Sequence, residues 1–141
     1  MSDQIFFDTN IVIYLYSDTE IEKSNVVERL LNQRNHHVIS TQVINEFAYV
    51  MHRKRKISYE SIAKSVIELT ASFDITKINL STINYAFQIA STYKYAYFDS
   101  LMIASAIENN CNVLYSEDLH HGHVIEKKIE IRNPFEPLNN R

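Results

Sequence analysis

The sequence predicts an α/β fold with a mostly parallel sheet of roughly four to five strands and helices on both faces, and three observations carry that reading. Short runs that are apolar throughout, without alternation, mark strands buried on both sides. Between them, apolar residues recur at three- and four-residue spacing, the period of a helix. Strand-like and helix-like segments also follow one another in turn, as crossover connections between parallel strands require. The chain has 141 residues, 45% of them hydrophobic and 22% charged, which suits one globular domain over residues 1–141.

Taken in order, Ile5, Phe6 and Phe7 form the first apolar run, ending at Asp8. Val26, Val27, Leu30 and Leu31 repeat at helical spacing. Val38 and Ile39 give a weaker strand signal before Ser40, and Thr41 is placed to cap a helix with apolar residues Val43, Ile44, Phe47, Val50 and Met51. Ser58 is a second candidate cap, followed by Ile62, Val66 and Leu69. Ile75 to Ile78 reads as a strand, Ile83, Ala86, Phe87 and Ala90 as a helix, and Met102, Ile103, Ala106 and Ile107 as another, ending near Asn109 and Asn110. Val113, Leu114 and Tyr115 form the second strong apolar run, before Ser116, Glu117 and Asp118, and Ile129 and Ile131 suggest an edge strand.

Composition excludes several functions. The one glycine, Gly122, cannot build a glycine-rich phosphate loop or a dinucleotide fingerprint, which need several. The one cysteine, Cys111, cannot form an internal disulfide or a multi-cysteine zinc site. The segment from Met1 to Tyr16 carries Asp3 and Asp8 and has no basic leader, so it reads as neither signal peptide nor membrane span, and the cytoplasm is the expected location. A net charge of −3 argues for no partner by itself, but Arg53, Lys54, Arg55 and Lys56 stand together after His52.

Four acids stand in places that ordinary packing does not require. Asp8 follows the first strand, on the edge of a parallel sheet where ligands bind, with Asn10 nearby; it could equally be the cap of the next helix. Glu46 lies between Val43 and Val50 at the margin of a helix's apolar arc, where acids often turn outward or meet a basic partner. Asp99 precedes Met102, Ile103, Ala106 and Ile107 at three, four, seven and eight residues, so it points inward, though the start of a helix also favours an acid as cap. Asp118 follows the strand at Val113 to Tyr115, on the same sheet edge as Asp8, in a loop where acids are common. Gathered carboxylates repel and raise one another's pKa, so a fold that collects them calls for a cation, and an all-oxygen set suits magnesium or manganese better than zinc. The chemistry such a site supports is phosphoryl transfer with water.

The segments Asp8-Thr9-Asn10, Asn45-Glu46-Phe47, Tyr97 to Ala104 and Leu114 to Asp118 together resemble the PIN-domain family, in its order and over Ile5 to Phe135. The length is most similar to the ribonuclease toxins of bacterial toxin-antitoxin pairs, the virulence-associated protein C type. The resemblance implies a three-layer fold and a magnesium- or manganese-dependent endoribonuclease with Asp8, Glu46, Asp99 and Asp118 as its catalytic and metal-binding acids. Asn10 and Ser116 match supporting polar positions, and Glu117 beside Asp118 is a second candidate for the fourth acid. It also implies an RNA substrate such as tRNA or ribosomal RNA, a homodimer, and an antitoxin that inserts a basic side chain into the acidic site.

Arg53, Lys54, Arg55 and Lys56 could hold RNA phosphates or merely complement the helix dipole. Tyr93, Tyr95 and Tyr97 could stack on bases, form an interface or pack in the core. His120, His121 and His123 read as loop residues, since their spacing is not that of a helical ligand pair. Three further readings remain: a non-catalytic RNA- or protein-binding module, a stand-alone RNA-processing nuclease, and a phosphatase using Asp8 as phospho-acceptor. The last needs an aspartate two residues on, where Asn10 stands.

Overall fold

The first apolar run is strand β1 (Gln4–Phe7), with Ile5, Phe6 and Phe7 all buried, in a computed structural model that describes residues 3–139. Helix α1 (Thr9–Tyr14) begins immediately after it, capped by Asp8, and α2 (Ile21–Leu31) returns the chain to β2 (His36–Ser40). The cap of α3 (Thr41–Arg53) is Ser40, whose Oγ accepts the Val43 N–H at 3.2 Å, one residue before the expected Thr41. The Thr41 hydroxyl is engaged elsewhere, accepting the Ile78 N–H at 3.3 Å. Ser58 caps α4 (Tyr59–Ser72) as expected. Strand β3 (Asp74–Thr76) stops short of Ile78, because the Ile78 N–H goes to Thr41.

Helix α5 (Leu80–Tyr93) ends at Lys94 in the left-handed conformation, φ 63°. Of its expected apolar face, Phe87 is exposed. Helix α6 (Tyr97–Glu108) is buried continuously from Ser100 to Ile107, so it is enclosed on all sides. The chain closes with β4 (Val113–Tyr115), β5 (Val124–Ile125), β6 (Ile129–Arg132) and α7 (Glu136–Asn139).

The sheet has six strands in the order β3-β2-β1-β4-β6-β5, against the four to five expected. All neighbours pair parallel except β5 with β6. The additional strand is β5, and it displaces β6 from the edge. The chain steps from β1 to β2 to β3 in one direction, then crosses back to β4. Right-handed crossovers therefore put α1 to α4 on one face and α5 and α6 on the other, giving three layers. Helix packing agrees: α3 lies against α1 and α4, while α5 lies against α6. The strand order diverges between β1 and β4, and the crevice beyond their carboxyl ends is where such a sheet receives a ligand. Asp8 and Ser116 stand directly at those ends.

Candidate active site

That crevice opens into a cavity of about 470 Å³ whose walls include Asp8, Glu46, Asp99 and Asp118. Each acid is delivered by a different element. Asp8 leaves β1 with its N–H bonded to the Tyr115 carbonyl of β4 at 2.9 Å, which extends the ladder by one step and fixes its backbone. Its Oδ1 accepts the Thr9 N–H at 2.7 Å and its Oδ2 accepts the Ser116 hydroxyl at 2.9 Å. Asp8 is thus both the cap of α1 and a wall of the cavity. Glu46 stands midway along α3, and its Oε2 accepts the Thr9 hydroxyl.

Asp99 occupies the third position of α6. The cap is Ala96, which has no side chain to offer, so the capping role open to Asp99 in the sequence is not the one it plays. Among the described residues no side chain or backbone group donates to its carboxylate. Asp118 lies on the loop after β4 and accepts from Asn10 Nδ2. Its neighbour Glu117 is turned away: it pairs with Lys23 and accepts the Tyr14 hydroxyl at 2.6 Å. Lys23 Nζ in turn lies 4.8 Å from the Tyr14 ring centroid and 5.2 Å from that of Phe135.

The electrostatics follow from this enclosure. Among the described residues no lysine, arginine or histidine lines the cavity. Burial pushes the Asp8 carboxyl up from 3.8 to about 6; the Ser116 and Thr9 hydrogen bonds oppose the shift, and repulsion from Asp99 and Glu46 adds to it. The Asp99 carboxyl is also raised, chiefly by burial and further by Asp118 and Glu46.

Four carboxylates on one wall, with no cation among the described residues there, are the donor chemistry of a hard divalent ion. Among the described residues no three acidic, histidine or cysteine groups form a closed cage, since Thr9 and Asn10 hold Glu46 and Asp118 to themselves. Asp8, Glu46, Asp99 and Asp118 all line the one cavity.

The PIN domain model matches residues 5–127 of the chain. The chain belongs to the PIN-domain family. Solved structures share the fold: a toxin-antitoxin complex from Klebsiella pneumoniae at TM-score 0.71 and 20% identity covers 94% of this chain and 99% of that one. VapC20 of Mycobacterium tuberculosis, described as a sarcin-ricin loop cleaving toxin, matches at TM-score 0.66 and 17% identity, over 82% of this chain and 90% of its own. VapBC-1 of nontypeable Haemophilus influenzae matches at 0.66 and 18%, over 94% and 98%. No curated protein matches in sequence.

In this PIN domain, Thr9 is the site residue that sequence reasoning passed over. Its position between Asp8 and Asn10 was visible, but its bond to Glu46 depends on α1 crossing α3, which no local pattern reveals. Gln42 and Tyr49 also line the cavity, four and three residues from Glu46 along α3, as does Asn45 next to it. The histidines lie elsewhere: His120 and His121 are exposed, and His123 Nδ1 meets the Tyr95 hydroxyl at 2.6 Å. The Tyr93 hydroxyl donates to Glu126 at 3.1 Å, and Tyr97 packs against Phe87 and Phe98 at 5.5 and 5.3 Å. No helix of the described residues is long and apolar enough to cross a membrane.

Proposed function

We propose that this PIN domain is a metal-dependent endoribonuclease that hydrolyses RNA phosphodiesters and serves as the toxin of a toxin-antitoxin pair, with tRNA or ribosomal RNA as its target. The observation that carries the reading is the convergence of Asp8, Glu46, Asp99 and Asp118 from four separate elements on one cavity that no cation among the described residues lines. The solved neighbours support the toxin assignment, since they include toxin-antitoxin complexes and a toxin that cuts an RNA loop. An antitoxin partner would neutralise the site by placing a positive side chain among these acids, and a homodimer is the assembly we assign to the free toxin.

Asp8, Asp99 and Asp118 would hold magnesium or manganese, with Glu46 binding directly or through water. When bound, the ion lowers the pKa of water and neutralises charge on the phosphate. The chain's own groups supply orientation and a proton acceptor. Ser116 and the Thr9 N–H fix both Asp8 oxygens, so this ligand is preorganised. Thr9 occupies Glu46 Oε2, leaving Oε1 to take the proton of the attacking water. Water oxygen bonds to phosphorus, the bond from phosphorus to the 3′ oxygen breaks, and the leaving oxygen takes a proton from solvent. The products carry a 5′-phosphate and a 3′-hydroxyl.

The test is incubation of end-labelled total tRNA and ribosomal RNA with the purified protein in magnesium, manganese or EDTA, beside Asp99→Asn. Discrete cuts that vanish in EDTA and fall at least about a hundredfold in the variant are expected. Undiminished cutting by Asp99→Asn would overturn the assignment. Absence of any cut by folded parent protein would turn the reading to a binding module that has no hydrolytic activity.

A further inference from the structure

Helix α3 carries a second feature past Glu46. Its next turn presents Tyr49, which lines the acidic cavity and also a neighbouring cavity of about 610 Å³. The turn after that presents His52 and Arg53 to the second cavity, and Lys56 and Tyr59 complete it. The two cavities therefore share Tyr49, and among the described residues their charges are opposite: four carboxylates and no cation on one side, two cations and no carboxylate on the other.

The walls of the second cavity are built. His52 donates Nδ1–H to the Ile57 carbonyl at 2.9 Å and stacks on Tyr59 with ring centroids 3.9 Å apart and planes 17° from parallel. The Arg53 guanidinium lies 5.8 Å from the Tyr49 ring centroid. Lys56 is held at φ 59°, a left-handed conformation that a lysine adopts only at some cost. Tyr49 and Tyr59 are 59% and 69% exposed, so broad ring faces are left in solvent. Of the four consecutive cations, Arg53 and Lys56 face this space. Arg55 reaches instead toward the Tyr16 carbonyl at 3.4 Å, and Lys54 does not line the cavity.

We propose that this cavity is a nucleotide subsite for single-stranded RNA next to the scissile bond, with a base stacked on Tyr49 and the adjoining phosphate held by Arg53 and Lys56. The inference rests on the nuclease reading above. A strand whose phosphate sits among carboxylates needs compensating attraction close by, and Arg53 stands about two helical turns past Glu46 on α3, with Lys56 just beyond the helix end. A free aromatic face selects an unpaired base, since a base within a duplex has both faces covered. The subsite thus favours loops and single-stranded ends over helices. Gln42 and Asn45 stand on the Glu46 side of Tyr49, where their amides can meet base edges.

The test uses Asp99→Asn protein, in which cutting is expected to fall at least about a hundredfold, and fluorescence anisotropy with a fluorescein-labelled 12-nucleotide single strand and the corresponding duplex, across a salt series. Adding Tyr49→Ala should weaken single-strand binding about five- to a hundredfold, and Tyr49→Phe should restore it. Arg53→Gln with Lys56→Gln should flatten the log–log salt slope by about 0.7, the value for one phosphate no longer neutralised, whereas Lys54→Gln should change it little. Melting curves establish that each variant folds; Tyr49 is already largely in solvent, so its removal empties no core.

Unchanged affinity in Tyr49→Ala, equal loss in Lys54→Gln, or equal Tyr49 dependence for the duplex would overturn the subsite. So would binding of an oligoglutamate peptide that depends on Arg53 and Lys56 while RNA affinity does not, which would reassign the groove to a protein partner. RNA binding that depends on Tyr49, in a parent protein that cuts nothing, would defeat the catalytic reading and leave the subsite standing. Cutting by the parent with Tyr49-independent binding would do the reverse.

Discussion

Asp8 caps α1 through Oδ1 and receives the Ser116 hydroxyl on Oδ2, so both of its oxygens are fixed by the fold itself. That order is achieved in a place where the charge is unfavourable. Its carboxyl titrates near 6 in the folded chain against 3.8 ordinarily, so the folded state binds the proton more tightly than the unfolded state does. The resulting stabilisation is fully present below about pH 4 and is lost as pH rises through about 6. In EDTA at pH 7.5, Asp8→Asn should therefore be more stable than the parent, by about 1–3 kcal/mol after the loss of one hydrogen bond, and the advantage should disappear at pH 4.5. Thermal melts at the two pH values decide it; a variant less stable at both would contradict the account. Asp99 shows what sequence does and does not carry at this scale. Its inward position followed from the spacing of Met102, Ile103, Ala106 and Ile107, but its freedom from a capping role depends on Ala96 standing at the cap. Likewise, Glu117 and Asp118 are equivalent as neighbours in sequence. Only the position of Lys23 on α2, with Tyr14 beside it, separates them.

At the scale of elements, β1 and β4 were legible because strands buried on both faces are apolar throughout. Strand β5 was not, for two reasons. It is two residues long, below any periodic signal, and the turn that pairs it with β6 lacks the residues that announce such turns. Glu126 and Lys127 occupy the two central positions at φ 54° and 53°, with the Lys128 N–H bonded to the Ile125 carbonyl at 3.0 Å. Two successive positive φ values are the requirement of a hairpin turn that normally draws asparagine and glycine. What holds Glu126 there is tertiary: its N–H donates to the Tyr93 hydroxyl at 3.2 Å, and that hydroxyl donates back to its carboxylate. Lys127→Gly should relieve the left-handed cost without touching these bonds and raise stability by about 0.5–1 kcal/mol. An unchanged or lower melting temperature would show that the unfolded chain's added freedom outweighs the relief.

For the whole molecule, the cavity is a product of topology. Reversal of direction after β3 places β4 beside β1, and that adjacency alone brings Asp8 to Ser116 and Asp118. The β-α alternation in the sequence predicted parallel pairing, but strand order arises from which helices cover which face, and no single segment encodes it. A site of repelling carboxylates imposes a standing cost on the native state, and an ion that binds only there should remove it. Magnesium at millimolar concentration should accordingly raise the melting temperature of the parent, with the shift growing logarithmically with concentration. Asp8→Asn and Asp99→Asn should show little of it. A shift of equal size in all three proteins would mean that the ion acts away from these acids.

The central position of β1 also bears on how the protein is made. β1 leaves the ribosome before the strands that flank it on both sides, and its partner β4 is synthesised more than a hundred residues later. A nascent chain halted anywhere before Val113 lacks the Ser116 hydroxyl, Asp118 and the strand that anchors the Asp8 backbone. Vectorial synthesis thus leaves the acidic cavity incomplete until β4 and the loop that follows it have been made.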